Sequence, residues 1–108
     1  MTRMDESKKE RLARAGWRTG DAAEFLGMTA DEAAFVELKL ALADHLRDVR
    51  MRNGWTQKQV AGRLGSSQSR VAKMEAGDSS VSLDLLVRSL LALGASRDEV
   101  GRVIAAAA

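Results

Sequence analysis

TQKQVAGRLGSSQSRVAKMEAG, residues 56–77, reads as two short helices joined by a sharp turn. Thr56 is placed to accept from the backbone N–H of Gln59 while Gln59 reaches back, a capping box that opens the first helix. Trp55 and Val60 stand at the two positions of a hydrophobic staple across that start. The helix stops at Gly65, which takes a positive φ without a Cβ penalty. Ser67 opens a second helix that runs to Ala76, with Gly77 as its stop. Val60, Ala61, Leu64, Val71 and Met74 share an inward side. Ala61 is small, as two steeply crossing helices require where their backbones approach.

That is the packing skeleton of a helix-turn-helix. With Val71 and Met74 turned inward, Gln68, Ser69, Ala72 and Lys73 fall on the opposite face of the second helix, at or near the end that enters the major groove of DNA in this motif. Gln68 has the paired donor and acceptor for adenine N6/N7, and Lys73 a donor for guanine O6/N7. Ser69 suits either base, and the Ala72 methyl suits a thymine methyl. Ser67 and the free N–H groups of the first turn are candidates to hold a phosphate. Gln57, at the start of the preceding helix, points to the same backbone, and Lys58 and Arg70 add attraction that carries no sequence information. The alternative for each is an idle or solvated surface residue.

Outward from the motif the pattern stays helical. Proline is absent, and no alternating run of β-branched residues marks a strand. Upstream, Thr29 and Glu32 form a capping box for a long helix, with Asp31 and Glu32 at the positive end of its dipole. Phe35, Leu38, Leu42, Leu46 and Val49 follow at spacings of three and four and predict one apolar face. Asn53-Gly54 is expected to end it in left-handed backbone. Residues 20–26 fit a short helix closed by Gly27, and residues 1–18 a mobile polar tail. Downstream, Ser82 caps a helix with Leu83, Leu86, Leu90 and Leu93 inward and Leu85 shared, stapled by Val81 and Leu86 and closed by Gly94. Ser96 and Glu99 make a further capping box for a last helix that frays into alanines. The expectation is an all-α chain of about five helices, with residues 19–108 as one DNA-binding domain.

Composition narrows the function. The chain has 108 residues, 45% of them hydrophobic and 30% charged, which suits one globular domain. It has no cysteine, a charged N-terminus without a signal-peptide core, and no apolar run near the roughly 18–20 residues that span a bilayer. A cytoplasmic protein without membrane contact is therefore expected. The net charge is only +2, but it is unevenly spread. Residues 19–44 carry one Lys/Arg against six Asp/Glu, and residues 45–75 carry seven against two. A basic block of that kind suits a localised anion-binding face. With a single His, no Tyr, no phosphate-binding glycine loop and no metal-ligand cluster, neither an enzyme nor a cofactor or metal is expected. His45 in particular lacks a second ligand type nearby.

The run W-T-Q-K-Q-V-A-G-R-L-G-x-S-Q-S-R-V-A-K-M-E-A-G resembles the Cro/C1-type (XRE) helix-turn-helix proteins almost position by position. The resemblance covers about residues 38–95. It implies a compact lambda-repressor-like helical bundle in which the Gln matching Gln57 binds phosphate and the residues matching Gln68, Ser69 and Lys73 read bases. It also implies a structural ion pair between Glu75 and an Arg, here Arg50. Two positions depart from the family: Ser66 replaces an apolar residue of the turn, and Ala76 replaces a frequent Asn.

The longer stretch from Phe25 to Ser96 is similar to the HigA-type antitoxins within that family. This resemblance implies a repressor of its own operon that neutralises a small basic ribonuclease toxin of the RelE/HigB type. The acidic stretch 19–44 suits such a partner through charge. One motif reads only a half-site, so a homodimer on an inverted-repeat operator is expected, joined through residues 82–108. A stand-alone phage-like or housekeeping regulator is the alternative, and an interaction module that reads no DNA is a third.

Overall fold

The computed structural model describes residues 27–107, which contain five α-helices and no strand. They are α1 (Ala30–Arg52), α2 (Gln57–Leu64), α3 (Gln68–Ala76), α4 (Leu83–Ala92) and α5 (Arg97–Ala106). The readings made above for residues 1–18 and 20–26 lie outside the described residues.

Each helix begins on a hydroxyl cap: Thr29, Thr56, Ser67, Ser82 and Ser96 all accept from the backbone N–H three residues on. The boxes at Thr29 and Thr56 are complete. The Glu32 carboxylate accepts from the Thr29 N–H at 3.0 Å, and the Gln59 amide oxygen from the Thr56 N–H at 2.8 Å. Hydrogen bonds from the Thr29 backbone, and then from its side chain, hold the Glu32 carboxyl below the usual range.

Helix α1 is the axis of the bundle, with α3, α4 and α5 packed on it. Ala41 to Leu46 are buried without interruption, and Leu42, Leu46 and Val49 lie at the centre of the core. The predicted apolar stripe therefore works only over the second half of the helix. Phe35 is 50% exposed and Leu38 half-buried, although Ala33, on another side of the same turns, is buried. A second correction concerns the exit. Asn53 remains right-handed (φ −90°), its side chain donating to the Val49 carbonyl at 2.8 Å, and Gly54 alone turns left-handed.

Gly77 ends α3 at φ +66°, and a Cβ placed there would meet Leu40 Cδ2 of α1 at 2.6 Å. The left-handed backbone is what demands glycine, since the tip of the Leu40 side chain could swing away from a Cβ. Gly62 is the opposite case: it lies in an exposed stretch of α2, and a Cβ there meets nothing within 4 Å. Gly77→Ala should destabilise the fold by at least about 1–2 kcal/mol, whereas Gly62→Ala should stabilise it by about 0.5–1 kcal/mol. Urea unfolding of the two variants checks this. Changes of the same sign would contradict the left-handed exit of α3 at Gly77.

The Ser96–Glu99 box is only half made. Ser96 accepts from the Glu99 N–H, but the Glu99 carboxylate leaves its own helix start for α1. There it takes His45 Nε2 at 2.5 Å and Arg52 Nη2 at 3.2 Å. Two cross-helix donors outcompete one local backbone N–H. The His45 bond, then that of Arg52, holds the Glu99 carboxyl below its ordinary value against the opposing effect of burial. A depressed carboxyl stabilises the fold above its unfolded pKa of about 4.3, and that stability is lost as pH falls through the folded value. Glu99→Gln should therefore flatten the dependence of stability on pH below about 4.3. An unchanged acid profile in Glu99→Gln would refute the tie.

Candidate nucleic-acid interface

Helices α2 and α3 are joined by Gly65, Ser66 and Ser67, with Gly65 left-handed at φ +64°. The Ser66 N–H bonds back to the Ala61 carbonyl at 2.9 Å, closing the turn. Ser66 is half-buried there, in place of the apolar residue that the resemblance implies. Val60, Ala61, Val71 and Met74 are buried, and Leu64 packs against them at the edge. Ser89 of α4 is also buried, its hydroxyl donating to the Met74 sulfur at 3.6 Å across the core. The sequence reading did not single out Ser89, although Leu85, Leu86 and Leu93 at helical spacing around it were a signal that it lies on the inner face.

The core thus takes one side of α3 and leaves the other to solvent. Gln68, Ser69, Arg70 and Lys73 are exposed, and Ala72 is half-buried at the edge of that face. Ser67 uses its oxygen to accept from the Arg70 N–H at 3.1 Å, which keeps its O–H available as a donor. Lys58 is exposed on the first turn of α2, and Ala76 is exposed at the far end of α3. Gln57 is half-buried beside them. Its side-chain nitrogen donates to Glu75 Oε1 at 3.3 Å.

Behind this face lies an ion pair. Arg50 at the end of α1 meets Glu75 in a two-pronged bond, Nε to Oε2 at 2.6 Å and Nη2 to Oε1 at 3.0 Å. Its remaining arm donates to the Trp55 carbonyl at 3.2 Å. The side chains are only 16% and 6% exposed. One guanidinium thereby fixes the end of α1, the start of α2 and the last turn of α3. Above Trp55, the Arg63 guanidinium lies 4.0 Å from the ring centroid and covers the half-buried indole.

The loop after α3 adds an acidic residue that the sequence reading passed over. Asp78 Oδ1 accepts from the Ser80 hydroxyl at 2.6 Å and from its N–H at 2.9 Å. These bonds, the hydroxyl's first, lower the Asp78 carboxyl, and the nearby charges of Lys73 and Lys39 add to the effect. The signal was present as D-S-S, a common turn pattern. Its place beside Lys73 depends on the fold.

Residues 41–103 match the family model described as a helix-turn-helix domain. The match takes in well over half the chain, and the chain belongs to that family, which places it among DNA-binding regulators. No curated protein and no solved structure matches the chain. The family segment begins halfway along α1, so the exposed Phe35 and Val36 precede it.

Proposed function

We propose that the protein is a sequence-specific transcriptional repressor in which α3 reads bases through Gln68, Ser69, Ala72 and Lys73. The observation that carries this is the division of α3, whose inner side is locked into the core while Gln68, Ser69 and Lys73 stand exposed together. Gln57, Lys58, Ser67 and Arg70 surround that face as phosphate contacts. Residues 19–108 act as one DNA-binding domain, and residues 82–108 join two copies. Support for the joint comes from Leu91 and Ile104, which are 42% and 37% exposed on α4 and α5. Selecting binders from a pool of random duplexes with the full chain tests the scheme. An inverted repeat with half-sites about 34 Å apart is expected. A chain that stays monomeric on DNA contradicts the dimer, and enrichment of no sequence contradicts base reading.

The finer reading is an antitoxin of the HigBA type that represses its own operon. It is supported by the first turns of α1, where exposed Phe35 and Val36 stand among Asp31, Glu32 and Glu37, ahead of the family segment. An apolar and acidic strip of this kind suits a basic ribonuclease. Co-expression with the product of the adjacent reading frame decides it. A small basic ribonuclease that copurifies and is inactivated fits; a neighbour of unrelated type that does not bind leaves a stand-alone regulator.

A further inference from the structure

The Glu75 carboxylate has a second partner, and that partner is a proposed phosphate contact. Its Oε1 takes Arg50 Nη2 at 3.0 Å and Gln57 Nε2 at 3.3 Å. An ionised carboxylate only accepts hydrogen bonds. The Gln57 amide must therefore turn its nitrogen, not its oxygen, towards Glu75. One amide proton is used there, and the other stays available to a second acceptor.

At 3.3 Å the Gln57 bond is long for N–H···O, against 2.6 and 3.0 Å for the bonds of Arg50. Arg50 thus supplies the strength of the cluster, and Gln57 is the group being oriented. Gln57 is also the first residue of α2. In that turn the Gln59 N–H is taken by Thr56 Oγ1. The backbone N–H groups of Gln57 and Lys58 have no acceptor within the helix. Donors of the side chain and of the helix start therefore sit together at one end of α2.

We infer that Glu75 is a positioning residue for the DNA backbone: it holds the Gln57 amide so that a phosphate meets an N–H rather than a carbonyl oxygen. This rests on the DNA-binding reading above. A freely rotating glutamine would present its oxygen to the phosphate part of the time, and two acceptors repel. Held by Glu75, the amide has lost that freedom before DNA arrives. The carboxylate that ties three helices together thus also sets a surface donor.

A double-mutant cycle with the full-length protein and a short mixed-sequence duplex at low salt tests the inference. Gln57→Ala should weaken binding by about tenfold in the otherwise native chain. In a Glu75→Gln background the same change should cost at most about twofold, since the amide is no longer held one way. An equal factor in both backgrounds would overturn the inference and leave Glu75 as a strut alone.

If Glu75→Gln does not fold, nuclear magnetic resonance of the native chain decides. The Gln57 side-chain amide, assigned through its loss in Gln57→Ala, should show one proton shifted downfield and slowed in exchange. Both protons at free-amide positions would overturn the inference. A native chain that binds no duplex overturns the DNA reading itself, and the amide signal, which needs no DNA, tells the two failures apart.

Discussion

Glu75→Ala should lower the unfolding free energy by about 3–5 kcal/mol, the cost of leaving a buried charge without its partner. Arg50 is 16% exposed at the side chain, and two of its three bonds end on this one carboxylate. Water reaches it poorly, so the lost bonds are not replaced. A domain of this size is stable by roughly 5–15 kcal/mol in total, and a loss on that scale brings it near unfolding. Replacing both partners is a different experiment. Arg50→Met with Glu75→Met removes two desolvated charges together and should cost much less than the single change. Chemical denaturation of the native chain, Glu75→Ala and the paired replacement gives the comparison. A Glu75→Ala loss below about 1 kcal/mol would mean that the pair behaves like an exposed one.

Leu46→Ala is expected to cost a similar amount, about 2–5 kcal/mol, by another mechanism. Leu46 is fully buried in the second half of α1, the helix on which α3, α4 and α5 all pack. Truncation removes apolar surface and leaves a cavity that three neighbours cannot close at once. Phe35→Ala on the same helix removes a larger side chain that is half exposed, and should change stability far less. Equal losses at Leu46 and Phe35 would show that the core extends along the whole of α1.

That contrast also marks how far the sequence could be read. Caps and stops were legible, since each is a local device of three or four residues. Ser67 and Gly77 bound α3 as read, and Thr29 and Thr56 make their boxes in full. The inward set Val60, Ala61, Val71 and Met74 was legible too, because a helical period reports a buried side. Periodicity does not say which part of an apolar face is covered, and Phe35 lies on that face yet is exposed.

Contacts distant in sequence were out of reach without a family to compare with. Glu99 stood in a perfect local capping pattern, and only the fold brings His45, 54 positions away, close enough to divert it. The Arg50–Glu75 pair was available solely through resemblance to other helix-turn-helix proteins. Gln57 shows the same limit within the proposed interface. Its residue type suggested a phosphate, whereas its bond to Glu75 comes from the crossing of α2 and α3.

The central claim is that the exposed face of α3 reads bases. It is tested most directly by measuring affinity for the selected duplex and for an unrelated one, across a range of salt. Gln68→Ala and Lys73→Ala should each lose about 1–3 kcal/mol on the selected duplex, with little change on the unrelated one. Arg70→Ala and Lys58→Ala should instead weaken both duplexes alike and flatten the salt dependence. Equal losses on both duplexes from all four variants, each still folded, would contradict base reading by α3.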